Sequence, residues 1–211
     1  MHTVAHQFDT AEQQQVASTL GMWVFLSTEV LFFGAIFLGY AVYRSLYGMS
    51  FAQGSHHLDL TLGTANTAVL LCSSLTMAIA VHSAQTNNPR RSVWFLIATA
   101  VLGSVFLGVK FLEYYHKYEE NLVPGASFQW TGADPGGADI FFLFYFIMTG
   151  MHALHMVIGL GLLCALIWMT YRKRFSAAYF SPVELGGLYW HFVDIVWVFL
   201  FPLLYLIDRS Q

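Results

Sequence analysis

Charged residues are scarce in this sequence. Lysine, arginine, aspartate and glutamate together make up 10% of the 211 residues, whereas a soluble domain usually carries about 25%. A chain with so few ionic groups cannot cover a water-facing surface, which excludes an ordinary soluble domain. The basic residues form no run long enough to follow a phosphate backbone, so no nucleic-acid partner is expected.

Cysteine is also nearly absent. Cys72 and Cys164 lie far apart within apolar stretches, and neither belongs to a CxxC pair or to a metal-spaced set. We expect both to be small buried apolar residues. The polar residues 1–20 lack a basic start, an apolar stretch and a small-residue cleavage site, so no cleaved signal peptide is predicted.

Long apolar blocks dominate what is present. Hydrophobic residues make up 57% of the chain, and a helix needs about 20 apolar residues to cross the hydrocarbon. Backbone groups in lipid must satisfy their own hydrogen bonds, which favours α-helices, and the blocks lack the alternation of a β-barrel. We therefore predict an all-α, integral membrane five-transmembrane-helix bundle. The predicted spans are 22–43, 60–81, 93–114, 140–169 and 185–207.

Basic residues predict the orientation, because positively charged loops stay in the cytoplasm. The second and fourth loops hold most of them, and the third loop is largely acidic. The N-terminus is therefore predicted inside and the C-terminus outside. Residues 1–21 are a predicted cytoplasmic tail, 22–207 the membrane domain and 208–211 a C-terminal tail. The basic residues of the two loops are Arg90, Arg91, Arg172, Lys173 and Arg174.

Several ionisable residues lie within the predicted spans, where a charge is expensive and suggests a functional site. At about 1.5 Å per residue, Glu29 and Asp194 lie about 10 and 12 Å from the inner boundary, and His191 is one turn shallower. They could share one layer, either as a site for a lipid headgroup or proton route, or as a hydrogen-bonded cluster that joins helices. An unpaired Glu29 should be protonated at neutral pH, and His191 is one candidate neighbour.

Two further pairs stand three positions apart and so share a helical face. Lys110 and Glu113, near the outer end of the third span, are predicted to pair where lysine can also reach the interface. His152 and His155 could face one metal or a haem, but structural zinc needs four ligands and no carboxylate or thiol is expected at their depth. We predict hydrogen bonds across helices instead, with no catalytic or metal site in this chain.

Motifs in all five spans resemble, in the same order, those of haem–copper oxidase subunit III. Residues 27–33 resemble the helix that bears the family's buried, carbodiimide-reactive glutamate. Residues 150–159 resemble its G-x-H-x-x-H-x-x-x-G helix, and residues 189–197 (YWHFVDIVW) its final-helix signature. Shorter matches are 64–71, 112–115 and Glu184, seven positions before His191.

The resemblance implies a non-catalytic core subunit of an aerobic respiratory cytochrome c oxidase, which reduces oxygen to water and pumps protons. It implies a bacterial inner membrane, direct contact with subunit I, and a complex that includes subunit II. Haem and copper are expected in those partners, while this chain would stabilise the catalytic subunit, support proton uptake and bind structural phospholipid. Glu29 is implied as the carbodiimide-reactive carboxyl, and Trp190 and Arg172 as candidate lipid headgroup contacts. Long family members have two further spans at the start, whose residues have no counterpart here.

Other functions stay open. Quinol oxidases have a five-span subunit III with the same final-helix pattern, and nitric oxide reductase clusters encode a relative. Glu29 and the ending from Phe201 to Tyr205 look more like the cytochrome c branch. A proton channel or transporter would use the buried carboxyls and histidines as its path, although no internal repeat is evident. A membrane cytochrome would bind a haem of its own.

Overall fold

The part of the chain that the structure describes forms six α-helices, and five of them are long enough to cross a membrane. The structure is a computed structural model that describes residues 8–125, 127–132, 134–172 and 180–207. The helices are α1 (Ala11–Leu46), α2 (Gly48–His56), α3 (Leu60–Gln85), α4 (Pro89–Glu119), α5 (Pro135–Tyr171) and α6 (Ser181–Tyr205). All but α2 have the length and hydropathy of membrane spans. The predicted all-α fold with five spans is therefore confirmed.

The first helix begins earlier than the apolar pattern indicates. It starts at Ala11, so the second half of the predicted tail 1–21 is helical. The Oγ1 of Thr10 accepts a hydrogen bond from the backbone N–H of Gln13 at 3.1 Å, which caps the helix. The other long helices also extend past their predicted spans at most ends, since polar residues remain helical beyond the hydrocarbon.

Some predicted features lie outside the described residues. These are residues 1–7 and the C-terminal tail 208–211, together with Lys173 and Arg174 of the fourth loop. The orientation of the chain in the membrane stays a prediction.

The short helix α2 was not predicted, because its nine residues contain no apolar run. It packs on the start of α5. Asp134 joins the two, since its carboxylate accepts from Ser50 Oγ at 2.7 Å and from the Gly137 N–H at 3.2 Å. Hydrogen bonds to the charged form lower the pKa of Asp134 below its usual value.

The spans differ in how they pack. Helices α3 and α4 form a hairpin, and α6 packs against both α3 and α5. Helix α1 lies at the edge, on α5 and α6, with most of its surface exposed. The exposed surface of the bundle is largely apolar, as lipid requires. Cys72 and Cys164 belong to it, so the prediction that they are buried is wrong.

Trp190 on α6 is one of the two largest fully buried side chains, together with Trp197, and it is 1% exposed. Its indole lies against Gly103 of α4 and Gly159 of α5, and its Nε1 donates to Ser73 Oγ on α3 at 2.9 Å. A Cβ added at Gly103 would lie 2.7 Å from the ring. The glycines therefore allow four helices to meet around one indole.

We predict that Gly103→Ala destabilises the purified chain, because the fixed indole cannot move away. Overpacking of this kind costs about 1–3 kcal/mol. Gly108→Ala on the same helix is the matched control, since a Cβ there meets nothing within 4 Å, and alanine raises helix propensity by about 1 kcal/mol. Thermal unfolding in detergent should show a lower Tm for Gly103→Ala and no loss for Gly108→Ala. Equal melting temperatures would contradict this packing.

Candidate functional site

Lys110 is the centre of a buried polar cluster that joins three helices. It lies on α4 and is 4% exposed. Its ammonium group donates to Glu113 Oε2 at 2.9 Å, to the Tyr205 hydroxyl at 2.8 Å and to the Tyr145 hydroxyl at 3.3 Å. The Tyr205 hydroxyl in turn donates to Glu113 Oε1. All three lysine donors and both carboxylate oxygens are thus used.

Aromatic rings surround the same ammonium group. Ring centroids lie 5.0–5.7 Å from Lys110 Nζ, within reach of cation–π attraction. The rings belong to Tyr114, Tyr145, Trp197 and Tyr205. Lys110 and Glu113 pair as their spacing predicts, but the lysine does not extend to the interface. It turns inward because its charge is compensated there.

Glu29 pairs with His155, at the contact between α1 and α5. Glu29 Oε2 lies 3.1 Å from His155 Nε2. Two expectations are therefore wrong: a carboxylate does lie at the depth of the His152–His155 pair, and the neighbour of Glu29 is His155 rather than His191. The error arose because depth along a helix does not give the direction in which a side chain points.

The hydrogen bonds of His155 limit the protonation states of this pair. Its Nδ1 lies 2.8 Å from the carbonyl oxygen of Met151, which can only accept, so Nδ1 carries a proton. Across the 3.1 Å contact one further proton must then lie between Nε2 and Glu29. Either a neutral acid donates to a neutral imidazole, or an imidazolium donates to a carboxylate. The pair has no net charge in either state, which suits its depth in the membrane.

A cavity of about 590 Å³ opens beside this pair, between α1, α5 and α6. Most of its lining is apolar, and Glu29 and His155 supply the carboxyl and imidazole groups. Tyr189 of α6 also lines it and donates its hydroxyl to the His155 carbonyl oxygen at 3.1 Å. The site can therefore hold an apolar molecule or chain beside a carboxyl group.

His191 and Asp194 do not join Glu29. The Nδ1 of His191 lies 2.8 Å from Ser74 Oγ on α3. Ser74 also faces the buried carboxyl of Asp194, but without a hydrogen bond of ordinary geometry to either oxygen. The predicted layer of Glu29, His191 and Asp194 is thus divided between two contacts, one at α1–α5 and the other at α3–α6.

His152 is enclosed by aromatic rings. Its ring centroid lies 5.5 Å from that of Phe106 and 5.2 Å from that of Trp197. Neither ring nitrogen has a hydrogen-bond partner among the described residues. The predicted cross-helix hydrogen bond is therefore made by His155 and not by His152.

The two candidate lipid contacts occupy different environments. Trp190 is buried among four helices, so its indole is not available to a headgroup, contrary to expectation. Arg172 is exposed at the end of α5, and its guanidinium stacks over the Trp168 ring at 5.3 Å. Within the described residues, no three histidine, cysteine, aspartate or glutamate side chains are placed to hold a metal ion.

The sequence did not reveal the tyrosines of the Lys110 cluster. Tyr145 and Tyr205 lie on other helices, and periodicity shows only which residues share a face of one helix. Ser74 was missed for the same reason. The excess of tyrosine within apolar spans was an available signal, since a buried hydroxyl needs a partner.

The fold and these paired groups define a multi-pass helical membrane protein whose buried ionisable residues connect its helices. The family model described as cytochrome c oxidase subunit III matches residues 4–208. The chain therefore belongs to the cytochrome c oxidase subunit III family.

Relatives of comparable length carry two kinds of name. The chain is 31% identical to cytochrome c oxidase subunit 3 of Thermostichus vulcanus, over 95% of this chain and 92% of the relative. It is 30% identical to cytochrome bo(3) ubiquinol oxidase subunit 3 of Pseudomonas aeruginosa, over 97% and 92%. It is also 30% identical to cytochrome c oxidase subunit 3 of Corynebacterium diphtheriae, over 95% and 96%.

We predict that Glu113→Gln strongly destabilises the bundle, because it leaves the ammonium of Lys110 buried without a counter-charge. Breaking a buried ion pair costs about 3–5 kcal/mol. Glu120→Gln is the control, since Glu120 pairs with Lys117 at the same spacing but is 49% exposed. An exposed ion pair contributes about 0–1 kcal/mol to the free energy of unfolding. Thermal unfolding of both variants should separate them, and a similar loss in both would contradict the role of the cluster.

We predict that an apolar carbodiimide, which reacts with protonated carboxyl groups, modifies Glu29 selectively. The cavity admits the reagent, and Glu29→Gln should abolish the labelling. His155→Phe should speed it, because the acid then loses the base that competes for its proton. Mass spectrometry of peptides would locate the adduct. An adduct on Glu113 or Asp194 would show that access and protonation at Glu29 are not as described.

Proposed function

We propose that this chain is the non-catalytic subunit III of an aerobic cytochrome c oxidase that reduces oxygen to water and pumps protons. The family match across nearly the whole chain carries this proposal. The geometry supports a structural role, because Lys110, Glu113 and Glu29 each form hydrogen bonds with side chains on other helices of the same chain.

In this proposal subunit I contacts the chain directly and subunit II completes the core of the complex. Haem and copper belong to those partners. The complex lies in the plasma membrane of a bacterium, with the N-terminus of this chain in the cytoplasm and its C-terminus on the outer face. The cavity beside Glu29 holds structural phospholipid, and the chain supports proton uptake by subunit I.

The electron donor is the finer part of the proposal. Relatives named for cytochrome c and for ubiquinol oxidases are almost equally similar, at 31% and 30% identity. Glu29 and the ending from Phe201 to Tyr205 favour cytochrome c. A quinol oxidase is the second candidate. Oxygen consumption by the purified complex, with reduced cytochrome c or with ubiquinol as the sole donor, distinguishes the two.

We predict that a complex purified without this chain still reduces oxygen at a normal initial rate but loses activity during turnover. The chain stabilises a partner and supports its proton supply, so its loss should shorten the active lifetime rather than stop the chemistry. The measurement is oxygen uptake over successive turnovers, with and without added purified chain, which should restore the lifetime. An unchanged lifetime, or no catalysis from the first turnover, would contradict the proposed role.

A further inference from the structure

A groove runs along the outside of the bundle between α4 and α5. Two cavities of about 570 and 420 Å³ form it, and Ile97 lines both. The first begins at Arg90, near the N-terminus of α4, and the second reaches Val105. The helical rise puts these ends about 22 Å apart, which exceeds the depth of one leaflet in a hydrocarbon layer about 30 Å thick.

The chemistry of the groove changes along its length. Its first part has the exposed guanidinium of Arg90 at the rim, with Trp94 and Tyr171, 72% and 75% exposed, beside it. Aromatic side chains of this kind mark the membrane interface. The second part is lined mainly by aliphatic side chains, including Val101 and Ile167. The groove thus suits a molecule with an anionic end and a long apolar tail.

The neighbouring arginine does not share this position. The guanidinium of Arg91 lies over the Phe95 ring at 5.7 Å, and Arg91 does not line the groove. Among the residues that line the two cavities, Arg90 is the one that carries a charge, and the others are apolar, aromatic or hydroxyl-bearing. Charge complementarity at this end therefore selects an anion.

We propose that the α4–α5 groove binds one anionic phospholipid, with its phosphate at Arg90 and an acyl chain along Ile97 and Val101 towards Val105. The groove is separate from the cavity beside Glu29, which lies between α1, α5 and α6. The site does not depend on whether the oxidase uses cytochrome c or quinol.

Lipid titration of the full-length chain in detergent tests the headgroup position. The probes are phosphatidylglycerol and phosphatidylcholine with the same acyl chains, and native mass spectrometry counts the bound molecules. Arg90→Gln should weaken phosphatidylglycerol binding about fivefold, since one basic residue near a membrane surface contributes about 1 kcal/mol. Phosphatidylcholine binding should not change. Arg91→Gln removes the same charge one position away and should leave phosphatidylglycerol affinity nearly intact.

Either of two results would overturn the headgroup position. Equal losses in Arg90→Gln and Arg91→Gln would show general surface attraction and no defined site. Wild-type protein that binds both lipids equally well would show that no anion is selected.

Photocrosslinking in cells tests the occupant. A benzophenone amino acid at Val101 should yield an adduct with the mass of a phospholipid. The same probe at Phe111, which is 71% exposed and does not line the groove, should yield much less of it. An adduct of Val101 with another polypeptide would show that a protein helix occupies the groove, and would overturn the proposal. Equal lipid labelling at both positions would overturn it as well, because bulk lipid then explains the contact.

Discussion

The buried charge of Lys110 constrains one whole end of the bundle. An ammonium group removed from water must use every donor and lie near an opposite charge. Otherwise its desolvation free energy exceeds the stabilisation that packing provides. Here the three partners come from three helices, with Glu113 on α4, Tyr145 on α5 and Tyr205 on α6. The rotation of each helix about its axis is therefore fixed at this level. The Trp190 indole fixes the rotation of the helices at a second level of the bundle, because it needs glycines on two helices and an acceptor on a third.

Helix α1 is held differently from the other spans. It lies at the edge of the bundle, and only 11% of its most apolar stretch is buried. In a bilayer, moving apolar surface from lipid tails onto another helix gains little free energy. Polar contacts therefore contribute more to the specificity of helix packing. Two of them position α1: the Tyr40 hydroxyl donates to the Leu203 carbonyl oxygen, and Glu29 meets His155. The carboxyl group of Glu29 thus has a structural reason to lie in the membrane, whatever it does in the assembled oxidase.

The five spans can be predicted from the sequence, but only some of the contacts between them can. Length and hydropathy predict membrane helices because the hydrocarbon leaves the backbone no other partner. Spacing within one helix likewise predicts the contact of Lys110 with Glu113. It cannot predict that Glu29 meets His155 rather than His191, because that depends on how two helices are rotated and shifted relative to each other. The burial of Trp190 could not be predicted for the same reason. An aromatic residue in a span suits the interface and the core equally, and the glycines of other helices decide between the two positions.

The distribution of charge indicates how such a subunit can act on its neighbours. Most ionisable groups in the described interior are paired with one another or, like His152 and Asp194, enclosed with 1% and 4% of their area exposed. Neither arrangement presents a charge to a partner in the hydrocarbon, where an exposed one would be expensive. Under the proposed function, the chain would therefore act on an adjoining subunit through the shape of its apolar surface and through the lipids proposed for its grooves. A subunit of this kind would control which lipid surrounds the catalytic subunit, and that control would be lost together with the chain even if no catalytic group were removed.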